Sequence, residues 1–131
     1  MASELSNYLA NAILGWFGGD DMPTAPATVY VALFNGDPTA AGSGGTEVTT
    51  TIRAGGRVAV DWGAVASRAR ANDAQIDFGT AAGAATVTHA AIFDASTAGN
   101  MLAYTPLDNT RNVNAGDPVV FPVGDLSVNF N

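Results

Sequence analysis

Apolar residues recur at Leu5, Tyr8, Leu9, Ala12, Ile13 and Trp16, the i, i+3, i+4, i+7 spacing of one helical face. With Ser3 as N-cap and Gly18-Gly19 as the stop, this spacing predicts an amphipathic helix of about four turns, roughly 20 Å long. Such a helix either covers a face of its own sheet or serves as an arm that docks on a neighbour. Beyond the linker GGDDMPTAPA the period changes to two. In TVYVALF, Thr28 to Phe34, Val29, Val31 and Leu33 point one way and Tyr30, Ala32 and Phe34 the other. Both sets are apolar, which predicts a central strand buried on two sides. Asn35-Gly36-Asp37-Pro38 ends it in a turn, and TAAGSGGTEV after it reads as a flexible loop.

Cleaner alternation follows. Val58, Val60 and Trp62 share a face opposite Arg57, Ala59 and Asp61, and Leu126, Val128 and Phe130 alternate with Ser127, Asn129 and Asn131. Ile76 and Phe78 mark a short strand. Val119, Phe121 and Val123 mark another, with Pro122 calling for an edge or a bulge. Thr86 to Leu107, TVTHAAIFDASTAGNMLAYTPL, reads as strand, Gly-Asn turn, strand, with His89 on the face of Val87, Ala91 and Phe93. Gly63 to Asp73 fits a short helix or a loop. The spacing of turn signals in the second half is that of a mainly β fold, an antiparallel β-sandwich or small barrel with one N-terminal amphipathic α-helix. Residues 1–19 form the N-terminal helix or docking arm, and residues 20–131 the β-sandwich domain.

At 131 residues the chain buries roughly two thirds of its unfolded surface, enough for a core without staples. It has no cysteine, so neither a disulfide framework nor a thiolate metal site is available. The net charge is −7 and lysine is absent, a balance that argues against nucleic acid as a partner. Glu4, Asn7 and Asn11 interrupt the first apolar run, which lacks a basic flank; neither a signal peptide nor a membrane span is expected there. Four of the arginines, Arg53, Arg57, Arg68 and Arg70, fall in one span whose only acid is Asp61. They are either solvated charge or a polarised surface suited to an acidic neighbour.

The chemistry available to this chain is limited. A zinc site needs three or four soft or imidazole ligands, and His89 is the only histidine. A Ser-His-Asp triad would need the same residue, no G-x-S-x-G elbow is present, and Ser43 sits in linker-like GSGGT. Gly42 to Gly45 cannot act as a Walker loop without a lysine. His89 therefore reads as a hydrogen-bonded strand residue. Asp37, Asp94, Asp108 and Asp117 read as turn acids, and DNTRNVNAGD as an Asx-turn hairpin that departs from the calcium-loop spacing. A pair of carboxylates acting as a glycan hydrolase is the remaining enzymatic route. No catalytic residue, cofactor or metal ligand is assigned.

The order of pieces carries more. LSNYLANAIL, then PATVYVALFNGDPTAAGSGGTEV, then THAAIFDA with GNMLAYTPL, then VNAGDPVVFPVGDLSVNF, closely resembles a family of small tailed-bacteriophage virion proteins, often labelled tail fibre proteins; similar small β-rich phage proteins serve as capsid decoration or cement proteins. Family members commonly follow Glu-Val with a Gly-Gly-x-Tyr-Ala-Arg run, where this chain has TTTIRAGGRVAV. The resemblance implies a non-enzymatic structural role in the virion. A capsid decoration protein that clamps the head lattice is the first expectation, and a tail fibre or baseplate appendage touching the host, with Thr39 to Thr46 as its contact loop, is the second. The implied partners are the major capsid protein or neighbouring virion proteins and further copies of the chain, with no nucleic acid and no membrane. The interface candidates are Leu5, Tyr8, Leu9, Ile13 and Trp16 on the helix stripe and Arg53, Arg57, Arg68 and Arg70 in the basic span.

Overall fold

The computed structural model describes residues 4–129. The chain runs β1 (Glu4–Leu5), α1 (Asn7–Phe17), β2 (Val29–Asn35), β3 (Thr46–Glu47), β4 (Val58–Val60), β5 (Ala69–Ala71), β6 (Ile76–Thr80), β7 (Ala85–Phe93), β8 (Met101–Val113), β9 (Pro118–Phe121) and β10 (Ser127–Asn129). All pairings are antiparallel. The main sheet has the order β1-β8-β7-β2-β3, with β4 beside β3 on the same edge of β2, and two ribbons, β10-β5 and β6-β9, complete the fold. The described strands form no closed barrel.

The two-faced reading of β2 holds. Val29, Val31 and Leu33 enter the larger core, which joins the sheet to the ribbons through Val60, Ile76, Phe78, Ile92, Val119, Phe121 and Leu126. Ala32 and Phe34 enter a second, smaller cluster with Ala91, Phe93 and Met101 on the opposite face. That second face is covered by the 36–45 loop, which is seated rather than free. Pro38 is fully buried, Gly42 N donates to Thr39 O, and Asn7 N donates to Ala40 O at 2.8 Å. A Cβ on Gly45, at φ +62°, would stand 2.7 Å from Gly36 O, so glycine is required where the loop closes.

Four local expectations are corrected. The β7–β8 connection is the Asp94–Asn100 loop, not a two-residue turn: Asp94 Oδ1 accepts from Asn100 N at 2.7 Å, and Ala98 and Gly99 adopt φ of 51° and 72°. The register breaks between Val87 and His89, which turns Val87 into the larger core while His89, opposite Phe34, stays on the face of Ala91 and Phe93. Asp108 lies within the long β8, and the bend comes later, where Asn114 N donates to Asp117 Oδ2 at 2.8 Å. β9 stops at Phe121, ahead of Pro122, which leaves Val123 exposed.

Gly63 to Asp73 proves to be neither helix nor free loop but a hairpin into β5. Asn72 is its anchor. Buried to 2% exposure, it donates from Nδ2 to Ala74 O and Pro122 O and accepts from Leu126 N, tying β5, β6 and the β9–β10 connection together. Of the expected C-terminal alternation, Leu126 and Val128 pack on the core, while Phe130 and Asn131 lie outside the described residues.

Candidate functional site

The N-terminal segment begins as strand, not helix. Glu4 and Leu5 pair with Tyr104 and Ala103, which moves the helix start to Asn7 and its cap to Ser6; Ser3 lies outside the described residues. Ser6 Oγ accepts from Leu9 N at 3.1 Å, and Ser6 N donates to Leu102 O at 3.0 Å, so the first turn is fastened to the sheet. Tyr104 Oη donates to Glu4 Oε2 at 2.7 Å. This hydrogen bond to a carboxylate, with some burial and the charge of Glu4, pushes the Tyr104 phenol up to about 12.

Past its first turn α1 has little support, and none of its residues is buried. Leu9 and Ile13 are half-buried, but Leu14 is 64% exposed, Trp16 59% and Phe17 72%. The Trp16 and Phe17 rings lie 5.7 Å apart and form an aromatic knob at the helix end. Gly18 N and Asp20 N both donate to Gly15 O as the helix stops at Gly18-Gly19, as the sequence indicates. No basic residue stands in the last turn, and Asp20 and Asp21 follow directly, so carboxylates sit beside the negative end of the helix dipole.

Beside the first turn of α1 is an apolar groove of about 350 Å³. Ile92, Leu102 and Ala103 of β7 and β8 form its floor, Leu5 and Leu9 one wall, and Val29, Trp62 and Val128 the other. Its rim is the β5 hairpin, which contributes Val65, Arg68 and Arg70. Ala66 and Ala69 exchange both backbone hydrogen bonds, at 3.0 and 2.9 Å, around a two-residue turn of Ser67 (φ 51°) and Arg68 (φ 63°). Such turns ordinarily take Asn-Gly, since both central residues need positive φ. Here a side chain is accepted at that position, and Arg68 stands exposed at the tip. Arg70 donates from Nε to Gly63 O at 2.6 Å.

The predicted interface residues thus separate. Leu5, Leu9, Arg68 and Arg70 meet in the groove, and Trp16 stands beyond it on the stripe of Leu9 and Ile13. Tyr8 looks instead toward Ala40 and Ala41. Arg53 donates from Nη1 to Arg57 O at 2.8 Å and is exposed. Arg57 is not a surface charge: 7% exposed, it forms a two-bond fork with Glu47 at 2.9 Å, donates to Ala95 O and Ala98 O, and stacks 3.7 Å over the Phe93 ring. Sequence reasoning missed Leu14, Phe17, Val65 and Trp62 as surface-forming residues. The available signal was Leu14 and Phe17, apolar residues off the helical stripe.

His89 belongs to neither surface. Its Nδ1 lies 2.8 Å from Thr88 Oγ1, whose oxygen also accepts from Gly36 N at 2.7 Å, a contact that locks the start of the 36–45 loop to β7. Among the described residues no three His, Asp or Glu side chains cluster to hold a metal, and no helix is long and apolar enough to cross a membrane. What the arrangement offers is apolar contact with charged edges, the chemistry of association. No curated protein matches the chain. The family described as Podophage GP4 fiber I protein gp80 matches residues 4–129, essentially the whole described fold, and the chain therefore belongs to this family of phage virion fibre proteins.

Proposed function

We propose that this virion structural protein is a non-enzymatic component of a podophage tail fibre, and that it works by packing its α1 face and the adjoining groove against neighbouring virion proteins. The observation that carries the reading is the family match across residues 4–129, whose description as a fibre protein favours the tail over the capsid cement role. The exposed Leu14, Trp16 and Phe17 support the mode of action, because an aromatic patch of this kind on a small domain marks an interaction surface. Gold-labelled antibody on intact virions is expected to mark the tail fibres, and particles lacking the protein to lose adsorption while their heads keep their resistance to heat and low salt. Label on the head lattice, with heads that fall apart when the protein is missing, would restore the cement reading.

A further inference from the structure

The two halves of the α1 surface are complementary to each other. One is a knob: Trp16 and Phe17, exposed, next to Asp20 and Asp21 at the negative end of the helix. The other is a socket: the apolar groove under Leu5 and Leu9, edged by Arg68 and Arg70. Among the described residues no ion-pair partner stands beside Asp20, Asp21 or Arg68. In a chain of net charge −7 with only five cationic side chains, two of those five stand on the rim of this apolar groove. Arg68 is held there by a turn that puts two non-glycine residues at positive φ, an arrangement that L-residues adopt at a cost.

The knob cannot fill the socket of its own chain. Leu9 lines the groove, and Trp16, which does not, is seven residues further along the same stripe, about 10 Å down a rigid helix. We propose that the groove is occupied by a second copy of this chain, with Trp16 and Phe17 of one copy seated in the groove of the next and Asp20 and Asp21 against its Arg68 and Arg70. Trp16 and Phe17 are large enough to occupy a groove of about 350 Å³, and the carboxylates face the only part of its rim that carries positive charge. Knob and groove are different pieces of one surface. Copies therefore exchange knobs reciprocally across a two-fold axis or pass them round a ring, and both arrangements use the same contact. The inference deepens the proposed function, since it names the neighbour that the α1 face packs against.

The test is sedimentation velocity of the full chain across a concentration series, with far-UV circular dichroism to verify the fold of each variant. The wild type is expected to self-associate. Trp16→Ser with Phe17→Ser, Asp20→Arg with Asp21→Arg, and Arg68→Asp with Arg70→Asp are each expected to weaken association roughly tenfold or more. Combining the two charge reversals in one chain is expected to recover most of the loss. None of these residues is buried, so the variants are expected to fold. A second readout uses the absence of cysteine: mixed Phe17→Cys and Val65→Cys chains are expected to form a disulfide between copies under mild oxidation. A wild type that stays monomeric, an oligomer untouched by the knob and rim substitutions, or charge reversals that fail to compensate would each overturn self-docking. Virion labelling is read separately, so a monomer found on the fibre leaves the fibre reading standing, and an oligomer found on the head leaves self-docking standing.

Discussion

Arg57→Ala is expected to be among the most damaging single substitutions in this protein, although the sequence marks Arg57 only as one of four clustered arginines. The side chain of Arg57 is 5% exposed and that of Glu47 20%, and the fork between them is joined by bonds to Ala95 O and Ala98 O and by the Phe93 ring. Removing one member of a buried pair costs about 3–5 kcal/mol, because the other charge stays buried without its partner. Partial exposure of Glu47 lowers that figure, while the two orphaned carbonyls and the lost cation–π contact raise it, for a net of about 3 kcal/mol. At this chain length 1 kcal/mol moves the melting temperature by roughly 3–6 °C, so a drop of about 10–15 °C follows. Urea unfolding followed by tryptophan fluorescence measures the free-energy loss and a thermal melt the drop in melting temperature, both at fixed protein concentration so that self-association does not enter the comparison. Arg57→Lys is expected to recover less than half of the loss, since an ammonium cannot hold a carboxylate fork and two carbonyls together. Glu47→Gln is expected to cost less than Arg57→Ala, because Arg57 keeps its carbonyl partners. A loss below about 1 kcal/mol for Arg57→Ala, or an Arg57→Lys variant as stable as the wild type, would refute this account.

Asn72→Ala is expected to cost about 3 kcal/mol in the same assay, since it removes three side-chain hydrogen bonds and leaves Leu126 N unpaired in the core. Gly99→Ala is expected to destabilise by about 2 kcal/mol or more, since its Cβ would lie 2.5 Å from Asp94 Oδ1 at φ +72°; thermal melts read it, and a neutral result would mean that the Asp94–Asn100 loop shifts freely. Tyr104 ties pH to stability. Its phenol is raised from 10.0 to about 12 in the folded chain, so the proton is held more tightly there; the contribution is complete below pH 10 and is lost as the pH rises toward 12. Ultraviolet titration is expected to show a late tyrosinate step near pH 12 that moves down in Glu4→Gln; a step that does not move would detach Tyr104 from Glu4.

Local pattern was enough for what depends on neighbours along the chain. The alternation in TVYVALF made β2 a central strand with two apolar faces, because side chains in a strand point alternately to either side and both sets here are apolar. The 3.6-residue stripe called for an amphipathic helix, and Gly18-Gly19 ended it. Asp37 and Asp117 declared their turns, since a short acid bonding to backbone two or three residues away needs nothing from elsewhere.

Contacts between distant segments decided the rest. Leu5 fits the helical stripe, yet its backbone pairs with Ala103, and that ladder moved the helix start from Ser3 to a cap at Ser6. An irregularity against β8 sent Val87 and His89 to opposite faces, which no count along β7 alone predicts. Four arginines in one span looked alike, but folding buried Arg57 beneath the Ala95–Ala98 carbonyls and left Arg68 on a strained turn above an apolar groove. The sequence by itself determined the central strand β2, the amphipathic stripe of α1 with its Gly18-Gly19 stop, and the turns at Asp37 and Asp117. Only the tertiary structure decided which apolar residues remain uncovered and which charges border them, because exposure is set by what packs across a sheet or over a helix, not by the order of residues along it.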